Sequence, residues 1–359
     1  PEPKRHAELE QLSRDDAGAI FDLEKAPPFR VTLIRLAAAE HILLVTLHHM
    51  IADQWSMRLF RRELVAFYQA FAQGEAAAVA PLPYQFIDFT RWQRRMLDTG
   101  QFDDQLNYWQ KQLAGPLPRI NLLSAGKRRR KLTLRSGRLS LDLHGNLCAG
   151  LHELARRQKT TPYVLLVAAL NLWLYRLTGC RDLLVGTLVA NRQQPYSERL
   201  IGYFVNAVVL RSRVAPRMSF IDLLQQTRTV AQEAFAHQDL PIAELSRMMQ
   251  RDSAEQTALY QVMVNYRRLI DEPEQMAGLT FAHWSKGGDR AAEPEVALTS
   301  AELSFEFREM STKLTVSVNY RCSLFDEPQA RRLLDGFIAL LAAAVQRPER
   351  RVANFRFIP

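Results

Sequence analysis

The stretch HILLVTLHHMIADQWS, residues 41–56, joins a strand-like run directly to the start of a helix. Its first part, His41 to Leu47, is apolar and β-prone, and reads as the more buried partner of a strand upstream. Just upstream, Arg30 to Leu36 (RVTLIRL) alternates apolar and polar residues, and a short Ala-rich turn links the two as adjacent strands. Downstream, Ser56 is a plausible helix N-cap. Phe60, Leu64, Phe67 and Phe71 recur at helical spacing, and Gly74 ends the run. The polar residues His48, His49 and Asp53 therefore sit where a strand gives way to a helix. Such junctions let rigid elements aim a side chain while leaving its polar end accessible.

Strands and helices keep alternating further along the chain. Pro81-Leu82-Pro83 breaks it before an aromatic stretch, Tyr84 to Trp92, that leads into a polar helix reaching about Leu113. Pro116 to Lys131 reads as a boundary, which divides the chain into residues 1–126 and 127–359. Beyond it come a strand near Gly137 to Leu143, a helix near Leu147 to Gln158, and an apolar helix opened by Thr161-Pro162 and reaching Tyr175. Asp182 to Val189 and Tyr203 to Arg211 read as buried strands. Ser219 with Asp222 forms a capping box. The alternating runs Leu303 to Phe307 and Leu314 to Tyr320 read as a hairpin, and Asp326 caps a last helix to about Val345. Strands and helices mixed throughout indicate an α/β or α+β fold with no short repeat.

Composition excludes several classes. With 359 residues, 47% hydrophobic and 24% charged, the chain can bury a large core and is not a disordered polymer. No apolar run approaches the ~18 residues that cross a bilayer, so no membrane partner is expected. Cys148, Cys180 and Cys322 are odd in number and widely spaced, which indicates neither a disulfide framework nor a zinc site and suits a reducing cytoplasm. The net charge of +9 is spread along the chain, with one dense run at Lys127 to Lys131. That run has no interleaved aromatic residues to stack on bases, so it reads as a solvated basic loop, and no nucleic-acid partner is expected.

Three chemistries are open to His48, His49 and Asp53: a metal site, a base with an orienting carboxylate, or a buried polar cluster. Neighbouring residues on an extended segment point to opposite sides, and no further Cys or His lies at ligand spacing, so no metal is expected. One histidine facing a cleft and one facing the core remains, alongside two purely structural histidines. Asp53 can orient His49 or anchor the loop through loop amides or an arginine.

These residues carry a resemblance. His48-His49-Met50-Ile51-Ala52-Asp53 is similar to the HHxxxDG signature of nonribosomal peptide synthetase condensation domains, of the chloramphenicol acetyltransferase-like superfamily. Further segments agree in order. Phe86 to Trp92 resembles YxDYAxW, and Gly186 to Arg192 resembles GxPVAGR. Ile201 to Arg211 resembles IGxFVNTxxxR. His237 to Pro241 matches the start of HQDxPFE, with Ile242 and Ala243 departing from it. Arg251-Asp252 with Leu259 to Val262 resembles RDxSxxPLFQV.

The resemblance implies two chloramphenicol-acetyltransferase-like lobes in a V-shaped pseudo-dimer, the first of them incomplete, with Pro1 not a natural start. It implies transfer of an acyl, aminoacyl or peptidyl group from a carrier-protein phosphopantetheine thioester to an acceptor amine, forming a peptide bond in secondary-metabolite or antibiotic biosynthesis. His49 would be the catalytic residue, and His48 and Asp53 its structural support. Asn206, His237, Gln238 and Asp239 would line or brace the second lobe at the tunnel. No cofactor of its own is implied, because donor and acceptor carrier proteins bring the phosphopantetheine arm. Neighbouring synthetase modules, or a small-molecule acceptor, complete the partners. A freestanding ester-forming acyltransferase and a catalytically silent docking module remain as alternatives. Trp55-Ser56 favours ordinary condensation over the epimerisation pattern, and His48 argues against cyclisation. Three departures stand out. Gln54 replaces the usual Gly, at a cost of about 1 kcal/mol if φ there is positive; otherwise the loop differs and the tunnel mouth carries a long polar side chain. Ala207 replaces Thr. The family's initial Arg-bearing segment is absent, which is expected to leave Asp53 without its partner.

Overall fold

The computed structural model describes residues 2–25, 27–77, 79–122, 135–249, 259–268, 275–276, 279–280, 301–311 and 313–356. The boundary placed at 126/127, the basic run Lys127 to Lys131 and the Arg251-Asp252 pair lie outside these residues. The chain forms two compact units. One comprises 1–99, 190–205 and 272–294, and the other 100–189, 206–271 and 295–359.

The first unit opens with α1 (Glu2–Gly18), a helix that the sequence pattern did not announce. Strands β1 (Phe29–Ala37) and β2 (Glu40–Leu47) then pair antiparallel, with Val31 opposite Val45 and Leu33 opposite Leu43, as the alternation predicts. Asp16 on α1 accepts from Arg30 Nε at 3.2 Å and from the Thr46 hydroxyl, which ties the helix to both strands. Helix α2 (Gln54–Ala72) follows β2 after a tight turn in which Ile51 N–H donates to the His48 carbonyl. Its N-cap is Asp53, not Ser56. Asp53 has extended backbone, and its carboxylate accepts the Ser56 N–H at 2.8 Å. Gly74, at φ +74°, lies just past its end. The buried side of α2 is Ser56 and Leu59, while Phe67 and Phe71 face outward.

Helix α3 (Phe86–Asp98) begins with Asp88 accepting the Gln85 N–H at 2.8 Å. The single polar helix expected to reach Leu113 is two helices. Gly100, at φ +70°, separates α3 from α4 (Asp103–Gln112), and the division between the two units falls at the same point.

The second unit is built on a mixed sheet of six described strands: β3 (Ser136–Leu143), β4 (Asp182–Val189), β5 (Asn206–Arg213), β6 (Val262–Arg268), β9 (Leu303–Glu309) and β10 (Leu314–Arg321). Across the sheet they run in the order β3-β10-β9-β6-β4-β5. The predicted hairpin is β9–β10, with Phe305 opposite Val318 and Phe307 opposite Val316. The central pairs β6–β9 and β4–β6 are parallel. The strand expected from Tyr203 begins only at Asn206, because residues 190–205 between β4 and β5 belong to the first unit. A two-residue pair, β7 (Gln275–Met276) and β8 (Leu279–Thr280), completes the strands described.

Helices α5 (Asn146–Arg157), α6 (Pro162–Thr178), α7 (Phe220–Ala236), α8 (Ile242–Met249) and α9 (Glu327–Gln346) accompany this sheet. Thr161, Ser219 and Asp326 cap α6, α7 and α9 as their sequences predict. Every residue of α6 from Val164 to Leu174 is buried, so it is a core helix rather than an amphipathic one. Its Asn171 donates to Ser212 Oγ at 2.9 Å, while the Asn171 Oδ1 is buried without a hydrogen-bond partner among the described residues. Trp173, Phe305, Phe307 and Phe337 form one aromatic cluster, with Phe305 and Phe337 centroids 5.0 Å apart. No helix among the described residues is long and apolar enough to cross a membrane.

Phe337 is 0% exposed in this cluster. Phe337→Ala is expected to destabilise the protein by about 3–5 kcal/mol through lost burial and a cavity, read as a lower urea midpoint for the second unit.

Candidate active site

Asp53 and Arg192 form the centre of the site in the first unit. Their side chains are 0% and 2% exposed. Arg192 Nη2 reaches both carboxylate oxygens, at 3.0 and 3.2 Å, and also Ser56 Oγ at 3.0 Å. Arg192 Nη1 donates to the carbonyls of Ser197 and, at 2.7 Å, Leu200. Asp53 Oδ2 further accepts the Phe204 N–H at 3.1 Å, and the Asp53 N–H donates to the Gly202 carbonyl at 3.2 Å. Ser56 Oγ lies 2.8 Å from that same carbonyl and accepts the Gly202 N–H at 3.0 Å. Burial pushes the Arg192 guanidinium below the ordinary arginine value, and the Asp53 charge opposes that shift.

The expectation that Asp53 lacks a partner is therefore corrected. Its arginine is Arg192, which lies 139 residues away within the GxPVAGR-like segment. Asp53 also bonds loop amides, so both anchoring modes open to it from sequence are present. Gln54 does not meet the condition of a positive φ. It is an exposed first residue of α2, with an ordinary helical backbone and no left-handed strain.

Around this pair the aromatic motif closes the packing. Arg192 lies 4.0 Å over the Phe204 ring, and Phe204 packs on Phe89 with centroids 4.6 Å apart. Phe86 crosses Phe204 edge-on at 5.0 Å. Gly202 is required here, because an added Cβ would meet the Phe86 ring at 2.3 Å. Trp55 donates from Nε1 to the Glu198 carbonyl at 2.9 Å.

The two histidines are held differently by the turn between β2 and α2. His48 is half-buried, edge-on to Phe21 at 6.0 Å, and its Nδ1 accepts the Met50 N–H at 3.2 Å. In its neutral form its proton is therefore on Nε2. His49 is exposed, and its Nδ1 lies 2.8 Å from the Ala52 carbonyl. A carbonyl can only accept, so this Nδ1 carries the proton and the neutral ring keeps its lone pair on Nε2. That nitrogen has no hydrogen-bond partner among the described residues. Tyr203 lies across the His49 ring, with centroids 5.1 Å apart and planes at 87°. The pair thus consists of one imidazole turned inward and pinned, and one presenting a basic nitrogen outward.

The remaining candidates belong to the second unit, where they form a separate knot. Asn206 Nδ2 donates to the carbonyls of Gln238 and Leu240, each at 2.8 Å, and its Oδ1 accepts the Ile242 N–H at 3.0 Å. Gln105 binds the same loop, donating to Asp239 at 2.9 Å and accepting the N–H groups of Asp239 and Leu240 at 3.0 Å. His237 stacks on Tyr108 with centroids 3.9 Å apart, and its Nδ1 lies 2.8 Å from the Glu233 carbonyl. The Tyr108 phenol is pushed up to about 12 by burial and then by the Glu233 charge, so the ring beside His237 stays neutral. Gln238 donates to the Phe235 carbonyl at 2.7 Å.

Sequence reasoning gave no site role to Arg192, Gly202, Tyr203 or Arg211, although all four lie in the motif segments, took Ser56 only as a helix cap, and passed over Gln105. Arg211 pairs with Asp182 at 2.7 Å and holds the carbonyls of Gln112 and Ala114, both at 3.0 Å. The available signal is that Asp53 and Arg192 each stand in a family-like motif, HHxxxD and GxPVAGR, and carry opposite charges. Among the described residues no group of three or more His, Cys, Asp and Glu side chains is arranged to hold a metal ion.

The profile of the family described as Condensation domain matches residues 2–359. A linear gramicidin synthase of Brevibacillus parabrevis is 34% identical over 355 residues, covering 99% of this chain and 7% of that protein. Phosphinothricin tripeptide synthetase PhsC of Streptomyces viridochromogenes is 33% identical over 345 residues, covering 96% of this chain and 31% of that protein. The chain thus spans a small part of these relatives. Among solved structures, the X-domain in a complex with OxyB from teicoplanin biosynthesis matches 98% of this chain and 78% of that one, with a TM-score of 0.85 and 25% identity. The condensation domain from the monacolin K polyketide synthase MokA is alike in fold, with a TM-score of 0.80 over 97% of this chain and 79% of that one at 20% identity.

Removing one partner of the Asp53–Arg192 pair leaves the other charge buried and uncompensated. Asp53→Ala and Arg192→Ala are each expected to cost about 3–5 kcal/mol in chemical denaturation, and the double substitution less than the sum of the two.

Proposed function

The chain belongs to the condensation-domain family, and we propose that it forms an amide bond by moving an acyl, aminoacyl or peptidyl group from a carrier-protein thioester to an acceptor amine. The observation that carries this reading is the outward His49 imidazole, whose Nδ1–H is spent on the Ala52 carbonyl and whose Nε2 lone pair is available. A thioester is already activated, so the protein has to orient the amine and manage one proton. The amine nitrogen attacks the thioester carbonyl, and His49 Nε2 accepts the proton that the nitrogen sheds. As the tetrahedral intermediate collapses, the C–S bond breaks and the protonated imidazole returns a proton to the departing thiolate. The carbonyl of Ala52 stabilises the imidazolium between these steps, because its oxygen faces the proton already on Nδ1.

In this reading His48 and Asp53 serve structure. His48 holds the turn through the Met50 N–H, and Asp53 caps α2 and carries the buried pair. Asn206, His237, Gln238 and Asp239 brace the 237–242 loop of their own unit, since Asn206 alone satisfies three backbone groups there. The phosphopantetheine arm arrives with the substrate on donor and acceptor carrier proteins. Neighbouring synthetase modules fit the small share of the relatives that this chain spans. A hydroxyl acceptor would give an ester by the same proton path.

A second reading is favoured by the likeness to the X-domain found with OxyB, a domain seen in a complex with another protein. On that reading the chain would recruit a partner without turnover. The outward Nε2 of His49 weighs against it.

The test supplies an acyl-loaded carrier protein with amine or hydroxyl acceptors and follows products by mass spectrometry. Amide product is expected, with His49→Ala lowering kcat about 10²- to 10⁴-fold. Ester alone points to the hydroxyl acceptor, and carrier binding without product points to the recruiting module. Unchanged turnover in His49→Ala would remove the role assigned to that residue.

A further inference from the structure

His49 is held by one hydrogen bond, from Nδ1 to the Ala52 carbonyl at 2.8 Å. That bond selects the Nδ1–H tautomer only while the ring stays beside the carbonyl, and one neutral hydrogen bond at an exposed side chain leaves χ1 and χ2 room to turn the ring away from it. Aiming Nε2 needs a second contact. The ring that supplies one is Tyr203, edge-to-face at 5.1 Å and 87°. From this geometry we infer that Tyr203 is a positioning residue, which holds the His49 imidazole so that Nε2 keeps a constant direction. The inference rests on the reading of His49 as the proton-accepting group.

Tyr203 is suited to this role because its backbone cannot drift. Its predecessor Gly202 exchanges bonds with Asp53 and Ser56, and its successor Phe204 donates its N–H to Asp53. Both neighbours are thus clamped by the residues that cap α2, the helix starting five residues after His49. The histidine and its aromatic partner are therefore referred to one rigid knot, and their separation is set by it. Consecutive side chains in this irregular stretch face opposite ways. Phe204 is 2% exposed and packs inward, while Tyr203 is 44% exposed and turns toward the exposed imidazole. At that exposure the ring packs little into the core, and the aromatic ring it meets is that of His49. In the IGxFVN-like segment it occupies the variable position, so the motif itself does not point to it.

The test combines kinetics with direct observation of the ring. In protein labelled with ¹⁵N at histidine, the His49 ring nitrogens of the unaltered chain and of Tyr203→Phe should report the Nδ1–H tautomer. Tyr203→Ala, and Tyr203→Leu as a variant that keeps apolar bulk, should move those signals toward an average of the two tautomers. In the carrier-protein reaction, loss of the ring should lower kcat about two- to tenfold with KM unchanged, and Tyr203→Phe should restore it. Unshifted His49 signals in both Tyr203→Ala and Tyr203→Leu overturn the proposal, as does a shift without any fall in kcat. If the unaltered chain makes no product, the condensation reading fails on its own, and the ring signals alone decide whether Tyr203 positions His49.

Discussion

A buried ion pair organises the part of the molecule where chemistry is proposed. Asp53 and Arg192 are both almost fully removed from water, and each would be costly alone. Their mutual attraction is supplemented by the Phe204 and Ser56 N–H groups on the carboxylate and by the Ser197 and Leu200 carbonyls on the guanidinium. Such a pair contributes less to net stability than its Coulomb energy suggests, because desolvation offsets much of it. What it supplies is geometry. Although Arg192 Nε is buried without a hydrogen-bond partner among the described residues, its two Nη groups and both Asp53 oxygens are directed, and they tie the turn after β2, the start of α2 and the 190–205 segment together.

The histidines inherit that arrangement. As the chain leaves β2, one of the pair lies beside Phe21 and the other beside Tyr203. Backbone groups then assign the tautomers. An N–H donates into His48, and a carbonyl accepts from His49. Two residues of identical chemistry thus acquire opposite protonation patterns from a turn of a few residues. The same economy appears in the second unit, where one amide side chain, Asn206, satisfies two carbonyls of the loop before α8 and the first N–H of that helix.

Much of the secondary structure could be read directly, for local reasons. Alternation in Arg30 to Leu36 and in Leu314 to Tyr320 gave strands because a pleated strand sends successive side chains to opposite faces. Ser219 with Asp222, Thr161 before Pro162, and Asp326 marked helix starts because a cap needs only neighbours within three residues. The misreadings share a cause. Ser56 is a good capping residue, but Asp53 does the capping, since its carboxylate is held in place by Arg192 from far along the chain. The helix expected through Leu113 breaks at Gly100, and the strand expected from Tyr203 starts at Asn206. At both points the chain passes between compact units, a change that local propensity does not register.

The sequence alone determined the α/β character, the order of the main elements, the family resemblance and the presence of two adjacent histidines before a helix. All of these follow from patterns no longer than a strand or a helix turn. Only the tertiary structure decided which arginine meets Asp53, why Gly202 must lack a side chain, which nitrogen of each histidine bears the proton, and that Tyr203 lies against His49. Each of these depends on groups more than a hundred residues apart or on the direction of a single hydrogen bond. Separation in the chain carries no information about which buried charges will meet, because that is settled by packing, where an unpaired charge is too costly to remain.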